Sequence, residues 1–216
     1  MNLFNTTPSV LFTRILVLLI SLTFHEFSHA WMAVHFGDET PRWAGRLTLN
    51  PFKHLDPVGS LMLLLVGFGW AKPVPINGFT LKQKHPAALM AVALAGPLAN
   101  FILAIVAAIP LRFGWVAQTA AVSSYLPSLF DFFVYFLFIN LGLMLFNLLP
   151  IPPLDGEQIL AFVLPEKMAY SYEKIRPYGS FILLAIIVLG QFSGFNLISM
   201  VLQPAMTGIA KFLLGA

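Results

Sequence analysis

Apolar residues occur along this chain in long, nearly unbroken blocks, with neither the two-residue alternation of half-buried strands nor the narrow stripe of a surface helix. About 20 apolar residues in a helix cross a bilayer core, and four blocks approach or exceed that. Val10 to Phe36 is apolar except for Arg14 and the group His25, Glu26, His29 and His35. Pro86 to Leu111 carries no charge. Phe132 to Leu154 is also uncharged, but Pro150, Pro152 and Pro153 break its last turn and predict a helix end near Asn147 to Leu149. Tyr178 to Ala210 is too long for one span, and Gly190 and Gly194 flank a break into two short helices.

Val58 to Trp70 is apolar over only 13 residues, the length of a segment that dips into a membrane and returns. On that reading Arg42, Arg46, Lys53, Lys72, Lys82, Lys84, Lys167, Lys174 and Arg176 share one side, with Arg14 and Arg112 near the other, which is a positive-inside distribution. The pattern predicts an all-α polytopic membrane protein of five to six membrane helices or half-helices. TPRWAGRLTLN, from Thr40 to Asn50, has β-formers around Gly45 and would allow a short membrane-surface hairpin.

Composition sharpens this. The chain is 58% hydrophobic and 10% charged, with mean hydropathy +0.84. Soluble domains carry roughly 25% charged residues. The net charge of +3 follows from loop topology and does not call for nucleic acid. There is no cysteine, so disulfides, thiolate metal sites and a cysteine nucleophile are excluded. No soluble insert, linker or repeat is evident, and residues 1–216 read as one transmembrane domain, surrounded by lipid, in a multi-pass protein of the cell membrane. Met1 to Ser9 lacks the basic start of a signal peptide, so the first block reads as a retained span.

His25-Glu26-Phe27-Ser28-His29 is an HExxH motif. On a helix, residues i and i+4 lie on one face, about 6 Å apart along the axis, so both imidazoles reach one ion while the glutamate addresses water beside it. Ionisable groups in a span cost about 2.5 to 3.5 kcal/mol each on insertion scales, so three within one turn call for a compensating metal. Catalytic zinc takes three protein ligands. His35, His54, Asp56, His85 and Asp155 remain for the third. His35 is about 240° around the helix from His29 and faces away. His54 and Asp56 stand in NPFKHLDP, where Asp56 suits a cap ahead of Pro57. Asp155 ends NLLPIPPLDG, whose prolines hold the chain extended after an apolar block. Such backbone at membrane depth must line a cavity or be buried in protein. An Asp-Gly turn at the membrane surface is the alternative reading of that segment.

HEFSHA with Gly37 and Asp38, LNPFKHLDPVGS, AGPLAN at 95–100 and FNLLPIPPLDG at 146–156 together resemble the site-2 protease family of intramembrane metalloproteases. The resemblance implies one zinc ion held by His25, His29 and Asp155, Glu26 as catalytic base, and Asn147 as a substrate-holding or oxyanion-stabilising residue. It also implies transmembrane proteins or peptides as substrates, cut within or next to their spans in regulated intramembrane proteolysis. Gly96 and Asn100 match the family's GxxxN, where the small residue allows close helix packing. Two departures stand out. No PDZ domain separates the motifs, and Glu157 follows the Asp-Gly pair, where a helix-start glutamate at the surface is expected and a gating or supporting carboxylate is the other reading. A membrane metal or proton transporter using the same His, Glu and Asp groups is the competing function.

Overall fold

The computed structural model describes residues 7–66, 69–119, 122–123, 125–192 and 197–216. Its elements are α1 (Pro8–His35), α2 (Thr40–Trp43), α3 (Pro57–Val66), α4 (Gly78–Lys84), α5 (Ala88–Arg112), α6 (Leu129–Asn147), α7 (Asp155–Val163), α8 (Glu166–Ile175), α9 (Gly179–Phe192) and α10 (Leu197–Leu214), with single 3-10 turns at Pro51–Lys53 and Arg176–Tyr178. Among the described residues the fold is all-helical. Helices α1, α5 and α6, of 28, 25 and 19 residues, are long and apolar enough to cross a membrane. The proline run ends α6 at Asn147, as the sequence predicts. The stretch after Tyr178 divides into α9 and α10; Gly190 lies inside α9, and Gly194 falls outside the described residues.

Helix α5 is the centre of the fold and packs against both α1 and α6. Its buried face is built from Ala88, Ala93, Ala95, Gly96, Ala104, Ala107 and Ala108. In lipid, apolar surface has no reason to leave its solvent, so helices associate where small side chains let backbones approach and make dispersion contacts. The main core joins Ala104, Ala107 and Ala108 to Val17 of α1, to Phe136, Leu137, Leu141 and Met144 of α6, and to Ala210 of α10. At the end of α5, Arg112 donates to the carbonyls of Phe212 and Leu213, satisfying the open C-terminus of α10. Arg14, early in α1, sits 5.6 Å from the Tyr135 ring of α6, which places the starts of these two helices together.

On either side of α3, residues 54–55 lie beside residues 71–72. Helix α3 has ten residues, about 15 Å of rise, half of a hydrocarbon core. At its two ends Lys72 N donates to His54 O at 2.8 Å, and Leu55 and Ala71 form an antiparallel bridge. Asp56 caps α3, its Oδ1 accepting from Gly59 N at 2.7 Å, and Pro57 takes the first helical position.

The hairpin expected between Thr40 and Asn50 does not form. Thr40–Trp43 is a turn of helix, followed by turns and bends. The reason is local: Pro41 presets helical φ in the first turn, and Asp38 Oδ1 accepts from Thr40 N at 3.0 Å, which closes the chain where a strand would need it open. Residues 72–77 carry no helix or turn, and Pro73 and Pro75 favour extended backbone in the residues before them. This segment is pinned at the far end by Asn77 N donating to Asp38 Oδ2 at 2.6 Å and near the start by Arg46.

Candidate active site

The HExxH residues lie in the C-terminal half of α1, and His25, Glu26 and His29 are all buried. Asp155 arrives as the first residue of α7, where the helix dipole favours a carboxylate. Its delivery depends on the glycine that follows. A Cβ on Gly156 would lie 2.3 Å from Leu148 O and 2.5 Å from Leu149 O, so only glycine lets α7 start directly against the end of α6. Tyr172 of α8 donates its hydroxyl to Pro150 O at 3.1 Å and holds the proline linker from outside.

The three side chains meet. His25 Nε2 and His29 Nε2 are 3.0 Å apart. Asp155 Oδ2 lies 3.2 Å from the first and Oδ1 lies 3.3 Å from the second. Which nitrogens carry hydrogen follows from groups that can only accept. Phe136 O takes the hydrogen bond of Asn140 Nδ2, so the amide oxygen of Asn140 accepts from Asn100 Nδ2, and Asn100 Oδ1 faces His25 Nδ1 at 2.6 Å. His25 Nδ1 must donate. His29 Nδ1 likewise donates to Val92 O at 2.7 Å. Both Nε2 atoms are left as bare lone pairs facing each other and a carboxylate, and Asp155 Oδ2 is buried with no hydrogen-bond partner. Such an arrangement is repulsive by itself and becomes favourable around a cation. Two imidazoles and a carboxylate are a catalytic zinc set, with carbonyl and amide partners behind them. The residues fit zinc.

Gly96 belongs to this geometry. A Cβ there would lie 2.4 Å from His29 Nε2 and 2.6 Å from His25 Cε1. The close helix packing expected of this residue is real, but what it accommodates is the pair of imidazole rings. Gly96→Ala is therefore expected to push both rings aside and weaken zinc binding by about 10- to 100-fold, the range for damaged ligand orientation, as read by competition with a chromophoric chelator. Unaltered affinity in a folded variant would show that the rings accommodate the methyl group.

Glu26 is 8% exposed, with Oε2 4.0 Å from an Arg46 guanidinium nitrogen. Burial pulls Arg46 below the ordinary arginine value, and the Glu26 carboxylate opposes this. Asn147 ends α6, its Nδ2 donating to Leu143 O at 2.9 Å, which leaves one amide hydrogen for another acceptor. The remaining candidates stand apart from the cluster. His35 stacks on Trp31, His54 bonds Thr48 O at 2.8 Å, Asp56 caps α3, and His85 Nδ1 accepts from Ala87 N at the start of α5. Glu157 is not at the surface as expected. It is buried and paired to Arg176 Nε at 3.0 Å, tying α7 to the turn before α9; burial pushes its carboxyl up while Arg176 opposes. Sequence reasoning missed Asn140, Arg46 and the contact of Asn100 with His25. An amide inside the charge-free block at 132–154 was a signal that a polar partner waits on a neighbouring helix.

The model of peptidase family M50 matches residues 13–124 and 116–190. Among curated relatives, "Putative zinc metalloprotease YwhC" of Bacillus subtilis is 39% identical over 203 residues, covering 88% of this chain and 92% of the relative. "Putative zinc metalloprotease Rip2" of Mycolicibacterium smegmatis is 33% identical over 178 residues, and that of Mycobacterium tuberculosis is 32% identical over 175. Each alignment covers 79% of this chain, which spans 64% and 63% of these longer proteins. No solved structure matches significantly. With the buried His25, His29 and Asp155 cluster beside apolar helices, these matches show that the chain belongs to peptidase family M50, the site-2 protease family of membrane zinc metalloproteases.

Proposed function

We propose that this protein, acting as a single domain with several membrane crossings in the cell membrane, cleaves peptide bonds within or next to the transmembrane segments of its substrates. The observation that carries the proposal is the convergence of two imidazole lone pairs on the orphaned Asp155 carboxylate, one helical step from the buried Glu26. His25, His29 and Asp155 would hold the ion. Zinc, when bound, supplies Lewis acidity to the attacking water and the scissile carbonyl.

The chain's own residues do the rest. Asn100 and Val92 O keep both imidazoles in the tautomer that leaves Nε2 free. Glu26 accepts the proton released as water attacks the carbonyl carbon, then delivers it to the amide nitrogen as the C–N bond breaks, so no covalent enzyme intermediate is needed. Asn147, with its second amide hydrogen, suits the substrate carbonyl oxygen. A transmembrane helix hides its carbonyls in internal hydrogen bonds, so a substrate must unwind locally. The segment at 72–77, free of helix and favoured as extended by Pro73 and Pro75, is suited to receive it by strand addition. The substrate class that fits is a single-pass membrane protein or a leftover signal peptide, and controlled release of such a segment would make this regulated intramembrane proteolysis.

The rival reading, a metal or proton transporter, uses the same residues differently. Protein purified in detergent and reconstituted in liposomes with a single-pass substrate is expected to hold one zinc per chain and to cut the substrate. A tight chelator should stop cleavage and added zinc restore it. Zinc or proton flux across the liposomes with an uncut substrate would reverse the assignment.

A further inference from the structure

Arg46 is 3% exposed, among the most buried charged residues of the chain, and lies outside the motifs that carry the chemistry. Burying a guanidinium is costly unless it is paired and its donors are used. Its partners come from three separate segments. NH1 donates to Pro73 O at 3.2 Å and NH2 to Lys72 O, both in the segment that follows α3. NH2 also lies 3.4 Å from His54 Nδ1. The carboxylate paired with it is Glu26, at 4.0 Å. The arrangement therefore balances the charge of one buried carboxylate while gripping the backbone of the segment at 72–73.

We infer that Arg46 is a positioning residue for Glu26, joining that carboxylate to the segment at 72–73 so that base and segment are held in one register. This rests on Glu26 being the base. The guanidinium suits the task because it is planar and multi-pronged: NH1 and NH2 donate to the carbonyls of Pro73 and Lys72 while the charge they share faces the carboxylate, whereas a lysine ammonium is a single point on a flexible stem. Neighbouring backbone does the coarse positioning. Arg46 N donates to Pro41 O at 2.8 Å, so the turn after α2 fixes where the side chain begins. Tight orientation of a base matters because a misplacement of about 1 Å can cost about 100-fold in rate.

The test uses the full chain, reconstituted with a single-pass substrate, and compares Arg46→Met, Arg46→Lys and His54→Gln with wild type for kcat, KM, zinc content and melting temperature. Arg46→Met should lower kcat by about tenfold or more, with KM within about threefold and zinc still at one per chain, because positioning acts on the chemical step. Arg46→Lys should fall between this variant and wild type. His54→Gln, which removes a neighbour of Arg46 without touching Glu26, should stay within about threefold of wild type, as expected of a contact outside the chemical step. A folded, zinc-loaded Arg46→Met with wild-type kcat overturns the inference, as does a loss that tracks zinc content or is matched by His54→Gln. If Arg46→Met does not fold, Arg46→Lys carries the test, and wild-type kcat there overturns it. Failure of both to fold makes the residue architectural and also overturns it. Glu26→Gln in the same assay separates the two levels. Wild-type cleavage by that variant removes Glu26 as the base, the reading on which the inference rests, whereas a crippled Glu26→Gln beside a fully active Arg46→Met removes only the role given to Arg46.

Discussion

Glu26→Gln should lower cleavage of a single-pass substrate by roughly 100- to 10,000-fold, the contribution of a positioned general base, while zinc stays bound at one per chain. The amide has the size of the carboxylate but cannot accept the water's proton. The proposed ligands are untouched, because Asn100 holds His25 and Val92 O holds His29 from the other side of each ring. One secondary effect follows from the structure: buried Arg46 loses its paired carboxylate, so the melting temperature should fall modestly. Mass spectrometry of the products together with metal analysis of the same sample reads both quantities. Wild-type turnover in the glutamine variant would sink the assignment of the base, and a metal-free variant would show that Glu26 helps to hold the ion.

Asp155→Asn should act on the other quantity. Replacing the carboxylate by a neutral amide leaves two imidazoles as the strong ligands and removes the negative charge that balances the ion. Loss of a partner behind a ligand typically costs about 10- to 100-fold in metal affinity, so loss of a ligand's charge should cost more, on the order of 100-fold at least. Activity should follow occupancy and recover in part at high free zinc. The fold should persist, because Gly156 seats the start of α7 against the carbonyls of Leu148 and Leu149 and the Glu157–Arg176 pair ties α7 to the turn before α9, neither of which involves the Asp155 side chain. Zinc titration followed by a competing chelator measures this. Unchanged affinity would mean that some other group completes the site.

The two expected results separate roles that the sequence presents as one cluster. HExxH is legible because both histidines and the glutamate lie on one helical turn, so their relation depends only on helix geometry. The α6 end at Asn147 and the cap by Asp56 are equally local, set by proline and by a side chain that reaches its own following turn. Residues 40–50 misled because β-forming composition is a weak force beside Pro41 and the Asp38 cap, which act within three residues. Glu157 misled for the opposite reason. Its partner Arg176 is near only because α8 folds back, and no local pattern announces that contact.

By itself the sequence determined the membrane class, the apolar helices, the absence of thiol chemistry and the His-Glu-His turn, since these depend on composition and on the fixed 3.6-residue period. The tertiary structure alone decided which orphan lone pairs face one another. It aligned the Phe136–Asn140–Asn100–His25 relay across three helices, placed Gly96 under both rings and set Arg46 against Glu26. These contacts join residues that helix packing and loop closure bring within hydrogen-bonding range, and such proximity is not encoded in any local spacing along the chain.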